Sequence, residues 1–350
     1  MASPFESSLV ASGHGEVVLT LLPPSIPSLT TLSYKYPLKL LTHSPRFLPQ
    51  SSALPCVSRP VHLYILSYGG GLLPGDEISV SIILNPQTRL VISTPQGCNK
   101  IYRTEATSKA RSRLAVPANG LHRMSRQILD VRIERQAALC YLPDPNVPFK
   151  DSRYEQVQMF TVEWATEASN RSSLCVLDWV TEGRTALGEK WDFQLWRGKN
   201  EVWTVDGTGA KKLLLRDSII LDAESEEQAG ETCASTGTGL IRQRTGSNSI
   251  IGTLILYGPV FEKLAAFFMH RFQSQPRIGS QNWSSSSQKA PPLPNVETDA
   301  VWTAARVRAS FVIVKFGAKD VDGAKRWLGD LLREEGSIAA EFGEEALLCL

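Results

Sequence analysis

The residues with the most suggestive spacing lie between Tyr68 and Glu77, where Gly70 and Gly75 are separated as in a phosphate-binding loop. Such a loop has the pattern Gly-x-x-x-x-Gly-Lys-Ser/Thr, and its lysine neutralises the bound phosphates. Here Asp76 and Glu77 occupy the lysine and hydroxyl positions, and two carboxylates would repel a triphosphate. The segment also joins two strand-like runs, whereas a phosphate-binding loop leads into a helix. The sequence therefore predicts a turn closed by Asp76 and no nucleotide hydrolysis by this chain.

A second candidate is the segment from Leu174 to Glu189, which also carries Asp178 and Glu182. Asp178 interrupts an apolar run, where an ionised carboxylate is costly without a partner, and Arg184 is the natural partner. On one continuous strand, Asp178 and Glu182 would share a face about 13 Å apart, at ~3.3 Å per residue. That separation is too long for a glycosidase pair. Carboxylates along a wall could instead line a passage for a hard or borderline cation.

Two other interpretations of these carboxylates stay open. In the first, a buried Asp–Arg or Glu–Arg pair stabilises a corner of the fold. In the second, the protein is a β-sandwich hydrolase that uses Asp178, Glu182 or Glu189 as general acid and base. Serine-nucleophile chemistry is not indicated, because the sequence contains no Gly-x-Ser-x-Gly motif.

The five histidines do not form a local metal-binding motif. None of them shows His-x-His or His-x-x-x-His spacing, so a permanent zinc-type site is not indicated. His62 and Cys98 flank the glycine-rich segment and could converge in space, although a lone histidine is more often a hydrogen-bonded structural residue. We therefore expect no permanently bound cofactor. The candidate contacts for a metal in transit are Asp178, Glu182, Glu189, His62 and Cys98.

Composition argues against several classes of protein. The 350 residues carry a net charge near +2, whereas nucleic-acid binding normally needs a larger basic excess. The first residues lack the pattern of a signal peptide, and no apolar run reaches about 18 residues, so we expect a soluble, cytoplasmic protein without a membrane partner. The six cysteines are widely spaced without a Cys-x-x-Cys pair, which predicts reduced thiols.

Most of the chain predicts short β-strands. Ile78, Val80 and Ile82 alternate with serines, as expected for a half-buried strand. The continuous apolar runs 61–68, 174–180 and 250–257 predict strands buried on both faces. Such runs recur every ten to fifteen residues without a fixed internal repeat. We therefore predict a mainly β protein, with a large layered fold of many short strands in a single domain spanning 1–350.

Two helices are expected in the C-terminal third. Apolar residues recur at helical spacing from Val321 to Leu332, after Asp320 as a predicted N-cap, and again from Phe261 to Phe272. We expect these helices to pack together on one side of the β body. Range 273–295 has the serine- and proline-rich composition of a disordered insertion, and 222–248 predicts an acidic and Gly/Ser-rich loop.

Four of these strings resemble, in order, strings of the urease accessory proteins called UreD or UreH. They are Tyr68-Gly69-Gly70-Gly71-Leu72 with Gly75-Asp76; Thr94 to Arg103, ending in Lys100-Ile101-Tyr102-Arg103; Tyr141-Leu142-Pro143 with Phe149; and Gly183-Arg184 with Gly188-Glu189. The resemblance spans roughly 32–221 and continues more weakly to the last helix. Asp144-Pro145-Asn146-Val147 departs from a family string of the type Gln-x-Glu-Thr, and the Ser/Pro-rich insertion is extra, which suggests a eukaryotic, fungal-like member.

The resemblance implies a β-rich, non-enzymatic scaffold with few helices. It would bind apo-urease together with a UreF-like accessory protein and a UreG-like GTPase, and would assist nickel insertion, with nickel passing through an internal tunnel. No cofactor would be permanently bound, and nickel would be in transit. The GTPase partner would then supply the nucleotide hydrolysis that the segment around Gly75 is not expected to perform.

Overall fold

A computed structural model of the chain describes residues 11–43, 58–94, 99–103, 124–163, 167, 170–205, 209–223, 238–275 and 300–350. The position of Cys98 and nearly all of the predicted insertion 273–295 lie outside these residues. In chain order, the described strands are β1 (His14–Leu22), β2 (Ile26–Tyr34), β3 (Leu38–His43), β4 (Val61–Ser67), β5 (Gly71–Leu72), β6 (Glu77–Leu84), β7 (Arg89–Ser93), β8 (Lys100–Ile101), β9 (Ser125–Ile133), β10 (Ala138–Tyr141), β11 (Val147–Pro148), β12 (Arg153–Val162), β13 (Ser173–Thr181), β14 (Leu195–Val205), β15 (Lys211–Asp222), β16 (Ile250–Tyr257), β17 (Ala300–Val307) and β18 (Phe311–Ala318). The described α-helices are α1 (Thr238–Thr245), α2 (Glu262–Gln273), α3 (Val321–Glu335) and α4 (Ser337–Phe342).

The strands form three sheets. Sheet A has the order β15-β14-β12-β9-β6-β1-β2, sheet B the order β17-β18-β16-β13-β10-β7-β4-β3, and the short sheet C the order β11-β8-β5. The prediction of a mainly β, layered fold with its few helices mainly in the C-terminal third is confirmed.

The middle of the chain winds as a three-sided coil. Strands β4, β5 and β6 lie in sheets B, C and A in turn, and β7 to β9 and β10 to β12 repeat that path. A fourth passage uses β13 and β14, with a short 3₁₀ turn at Thr185–Leu187 between them. Equivalent strands of successive coils pair in parallel, as β4 does with β7 and β9 with β12. This is the architecture of a parallel β-solenoid, in which each coil contacts its neighbours.

Antiparallel strands complete the two ends of the solenoid. At one end β1 pairs with β2, and β3 pairs with β4. At the other end β15 joins β14, while β16, β18 and β17 extend sheet B.

The coils differ in length. The sheet B strands of successive coils begin at Val61, Arg89, Ala138 and Ser173, so the steps are 28 residues (61 to 89), 49 residues (89 to 138) and 35 residues (138 to 173). A structural repeat with such unequal steps leaves no fixed period in the sequence.

The central strands of sheet B are buried on both faces. All nine residues of β13 are buried. Val176 and Val180 face the interior between the sheets, whereas Leu177 and Trp179 face the helices. The predicted two-sided burial is confirmed for β13 and almost all of β16, while β4 is only half-buried at Tyr64, Leu66 and Ser67. The apolar composition of these strands follows from that burial, because neither face meets water.

Both predicted helices are present and contact each other. The Asp320 carboxylate accepts a hydrogen bond of 2.6 Å from Gly323 N, which confirms it as the N-cap of α3. The predicted loop 222–248 is wrong over Thr238–Thr245, which forms α1. That helix has no apolar periodicity. Of the side chains that the structure describes there, only Ile241 and Thr245 are buried, so tertiary contacts stabilise it. No helix in the described part of the chain has the length and apolarity needed to cross a membrane.

Candidate functional site

The four strings that resemble the family converge on sheet C. Its strands come from Gly71–Leu72, Lys100–Ile101 and Val147–Pro148, and Gly71 and Val147 both align with Lys100. The fourth string lies at the corner that follows β13. There the fourth coil passes along the side of the solenoid that sheet C forms in the earlier coils. Segments more than 100 residues apart in sequence therefore build one wall.

A row of stacked side chains runs along this wall from coil to coil. The Tyr102 hydroxyl donates to Gly69 O at 3.1 Å, and its ring meets the Phe149 ring edge-on, with 5.2 Å between centroids. The Arg184 guanidinium lies over the Phe149 ring, 3.9 Å from its centroid. A Cβ at Gly71 would lie 2.7 Å from the Tyr102 ring, so this position requires glycine.

Asp76 closes the turn that precedes β6. Its carboxylate accepts a hydrogen bond of 2.8 Å from Leu73 N, and its own N–H donates to Leu73 O at 2.9 Å. These contacts agree with the predicted turn-closing role.

Glu189 is the ion-pair partner of Arg184. The carboxylate contacts Arg184 Nη2, and accepts hydrogen bonds from Nε at 3.0 Å and from the backbone N–H at 3.1 Å. Burial by itself would raise the pKa of the Glu189 carboxyl, but the hydrogen bonds from Arg184 hold it below its ordinary value. The interpretation of a Glu–Arg pair at a corner is therefore confirmed for these two residues.

Asp178 has different partners from the one predicted. Its carboxylate accepts hydrogen bonds from Gln156 Nε2 at 3.0 Å and from Asn200 Nδ2 at 2.7 Å, and not from Arg184. Burial raises the pKa of Asp178 from 3.8 to about 6, and the nearby charge of Asp217 adds to the rise. The two amide donors and the Lys315 ammonium oppose it.

These amides belong to a larger line of polar side chains inside the solenoid, which we call the polar seam. Tyr154 OH contacts the amide oxygens of Gln127 and Gln156 at 3.3 and 3.2 Å, and Asn146 Nδ2 donates to Gln156 Oε1 at 3.2 Å. The members of the polar seam are Gln127, Asn146, Tyr154, Gln156, Gln158, Asp178, Asn200, Asp217, Thr253 and Lys315.

Beyond Asp178 the seam continues on both sheets. On sheet A, Asn200 pairs across the strands with both Gln158 and Asp217. On sheet B, Thr253 lies between Asp178 and Lys315 in register. The Lys315 ammonium joins the two sheets by donating to Asp217 Oδ1 at 2.6 Å.

The two ends of the seam differ. Behind sheet C it reaches a cavity of about 20 Å³, whose polar lining includes Thr94, Asn99, Gln127, Asn146 and Tyr154. A cavity of this size holds about one water molecule. At the other end the Lys315 side chain is 47% exposed, so the seam leads from this cavity to solvent.

The seam carries more hydrogen-bond acceptors than donors. Among the described residues, no partner is found for the buried atoms Gln158 Oε1, Asn200 Oδ1, Asp217 Oδ2 and Thr253 Oγ1. The first three can only accept hydrogen bonds or bind a cation. An arrangement of this kind suits water or a cation with oxygen ligands.

Glu182 begins the corner after β13. Its backbone N–H donates to Ser249 O at 2.8 Å and its carbonyl accepts from Trp191 N at 2.7 Å. The residue is only 7% exposed, yet its carboxylate makes no hydrogen bond or ion pair with any described residue. Because β13 ends at Thr181, the predicted strand spacing between Asp178 and Glu182 does not extend to this residue.

The structure does not bring His62 to the seam. Val61 and Leu63 face the interior, so His62 lies on the opposite face of sheet B, where Nε2 donates to Phe342 O at 3.0 Å. Burial lowers the pKa of His62. These features fit the structural role that a lone histidine usually has. Among the described residues, no group of three or more His, Cys, Asp or Glu side chains could hold a metal ion.

The hydrolase interpretation loses support from the same contacts. Glu189 is engaged by Arg184, and Asp178 is held by two amides in the interior. A general acid and base need to reach a common substrate. These two carboxylates are committed to separate structural contacts.

Several seam residues were missed in the sequence. In β12, Gln156 and Gln158 share a strand face with Tyr154 and Phe160, and all four are buried. Glutamine at two successive core positions is the signal that could have located the seam, because a buried amide requires partners. Asn200, Asp217 and Thr253 carried no comparable signal.

Comparison with known proteins gives a consistent result. Residues 13–347 match the family model described as UreD urease accessory protein. The chain is 30% identical over 309 residues to an uncharacterized urease accessory protein ureD-like of Schizosaccharomyces pombe, covering 88% of this chain and 89% of the relative. It is 28% identical over 331 residues to urease accessory protein 4 of Cryptococcus neoformans, covering 91% and 89%. Urease accessory protein D of Arabidopsis thaliana is 33% identical over 202 residues, 58% of each chain.

Proposed function

Since the chain belongs to the UreD family of urease accessory proteins, we propose that it is a non-enzymatic scaffold that assists nickel insertion into apo-urease. It would act together with a UreF-like accessory protein and a UreG-like GTPase. Nickel is the cargo of this function and no resident cofactor is required. The observation that carries the proposal is the polar seam inside the solenoid, with its surplus of unpartnered oxygen acceptors.

The chemistry of the seam suits an ion in transit. Amide, hydroxyl and carboxylate oxygens can replace water around a divalent cation, whereas thiolate and imidazole ligands hold nickel more firmly. Asn200, Asp217 and Thr253 offer such oxygens without an internal partner. A route lined by weak ligands allows the ion to leave again.

The charge of the seam also favours a cation. Asp178 has a pKa of about 6, so it is mostly ionised at neutral pH. With Asp217 and Lys315 the seam then carries one uncompensated negative charge. In a buried, low-dielectric setting such a charge attracts a cation more strongly than it would in water.

Glu182 is a second point of contact for the cargo. The residue is only 7% exposed, but its carboxylate oxygens reach solvent and have no partner among the described residues. A carboxylate that reaches solvent and has no protein partner can exchange a bound water for a cation. The committed contacts of Glu189 and the position of His62 leave these two residues outside the proposed route.

Co-purification tests the scaffold part of the proposal. The full chain would be co-expressed with urease, the UreF-like protein and the UreG-like GTPase of the same organism. We expect one complex that contains all four proteins. Failure of urease to co-purify under conditions where the other accessory proteins associate would overturn the scaffold role.

Thr253→Val tests the seam. The change keeps the side-chain shape and removes a hydroxyl that has no partner in the fold, so we expect normal stability and complex formation. Tyr257→Phe is the matched control, because it removes another unpartnered hydroxyl four residues along the same strand. We expect Thr253→Val to lower nickel content and urease activity at limiting nickel, and the control to leave both unchanged. Normal nickel loading with Thr253→Val would contradict transit along the seam.

A further inference from the structure

A row of cations lies outside the stacked wall of sheet C. We call Lys100, Arg103, Lys150 and Lys190 the basic ridge; all four are exposed. Arg242 of α1 continues the row, because its guanidinium donates to Lys190 O at 2.9 Å. The ridge is separate from the polar seam, which lies in the interior.

The solenoid aligns these charges. Lys100 and Arg103 belong to the second coil, Lys150 follows β11 in the third, and Lys190 lies at the corner of the fourth. Lys100 is paired in register with Val147, and Asp151 N donates to Asp192 O at 3.0 Å, so the coils are adjacent at these points. Neighbouring strands lie about 4.8 Å apart. The ridge therefore runs along the solenoid axis.

In the described ranges, the four cations of the ridge outnumber the acids beside them. None of its four residues makes an ion pair with another residue in the described ranges. The nearby acids in the described ranges have other partners: Glu189 pairs with Arg184, Asp192 accepts from Arg242, and Asp151 accepts from Gln194 Nε2 at 3.4 Å. A line of uncompensated like charges repels itself, and an anionic partner relieves that repulsion.

The wall beneath the ridge gives it a rigid support and an apolar neighbour. Phe149 contacts both Tyr102 and Arg184, so the wall is packed in the absence of a partner. Leu187 projects from the same corner with 66% exposure. An exposed apolar side chain flanked by cations matches a partner that carries an apolar residue between acidic ones.

We propose that the basic ridge docks an acidic segment of a partner protein. Nucleic acid fits less well, because the net charge of the chain is only +2 and Tyr102 is the one partly exposed aromatic side chain at the described part of the ridge. This inference goes beyond the proposed nickel role and does not depend on the seam. It assigns a surface and the chemistry of its partner.

The test uses the full chain and a fluorescein-labelled peptide of repeated Glu-Leu-Glu-Gly units, with binding followed by anisotropy at low and high salt. The ridge variant is Lys150→Glu with Lys190→Glu. The matched control is Lys211→Glu with Lys212→Glu, which changes two exposed lysines of the edge strand β15 by the same total charge. Because neither urease nor nickel is present, this result is independent of the proposed function.

We expect the ridge variant to bind at least about tenfold more weakly than the unmodified chain, since charge reversal places like charges together. The peptide affinity of the control should stay within about twofold of that of the unmodified chain. High salt should weaken peptide binding most for the unmodified chain. Should the ridge variant fail to fold, Lys100→Glu with Arg103→Glu gives the same test. Equal losses in ridge and control variants, or equally tight binding of duplex DNA by the ridge, would overturn the proposal.

Discussion

The guanidinium carbon of Arg184 lies 3.9 Å from the centroid of the Phe149 ring, and the same guanidinium pairs with Glu189. Phe149 follows β11 of the third coil, whereas Arg184 and Glu189 form the corner of the fourth. One planar side chain therefore links two coils by stacking on one and hydrogen bonding to the other. Only arginine combines a stacking face with a fork of donors.

Arg184→Lys tests this link. Lysine keeps the charge but loses the stacked plane and the fork, so we expect the free energy of unfolding to fall by about 1–3 kcal/mol. Arg271→Lys is the control, because Arg271 lies 5.3 Å from the Phe267 ring and pairs with the half-exposed Glu334. We expect a loss of less than about 1 kcal/mol there. Urea unfolding measures the free energy of both variants. Equal losses in the two would show that the contact between Arg184 and Phe149 does not add to stability.

Gly71→Ala tests the close packing of the Tyr102 ring. An added Cβ would lie 2.4 Å from Lys100 O and 2.7 Å from the ring, so we expect a loss of about 1–3 kcal/mol. Gly329→Ala adds the same atom inside α3, where the nearest atom is the flexible end of Arg333. There we expect a gain of up to about 1 kcal/mol. The unfolding temperatures of the two variants should therefore shift in opposite directions. A shift of both in the same direction would contradict the close packing at Gly71.

The pH dependence of the stability of Asp178→Asn tests the state of the buried carboxylate. Because folding raises the pKa of Asp178 from 3.8 to about 6, the folded state binds this proton more tightly than the unfolded state. Its contribution is therefore largest at low pH and is lost as the pH rises through that interval, by on the order of 3 kcal/mol. The variant lacks this loss, so its stability relative to the unmodified chain should increase from pH 4 to pH 7. If the stability difference between the variant and the unmodified chain is the same from pH 4 to pH 7, folding does not raise the pKa of Asp178.

Glu182→Gln separates function from stability. The Glu182 carboxylate has no partner among the described residues, so we expect the free energy of unfolding to change by less than about 0.5 kcal/mol. Urease activation at limiting nickel should nevertheless fall. Glu189→Gln is the contrasting variant, because it breaks the pair with Arg184 and should cost about 1–3 kcal/mol. Unchanged activation with Glu182→Gln would remove this residue from the proposed route.

Local patterns in the sequence were sufficient for the fold class, for the burial of β13 and for the helices α2 and α3. Each depends on contacts near in sequence or on periodicity. The apolar residues from Val321 to Leu332 recur at helical spacing after the Asp320 cap, and the structure has a helix there. The same locality explains the failure at α1, where Ile241 is held by tertiary contacts that no local pattern announces.

What only the tertiary structure decided is which distant residues meet. The sequence contained Asp178, Arg184 and Glu189, but parallel pairing of unequal coils places Gln156 and Asn200 beside Asp178 and leaves Arg184 to Glu189 and Phe149. Steps of 28, 49 and 35 residues between coils hide that alignment, because register in parallel strands is set by non-local packing. The chemistry was readable in the residue types, and their partners were decided by the winding of the chain.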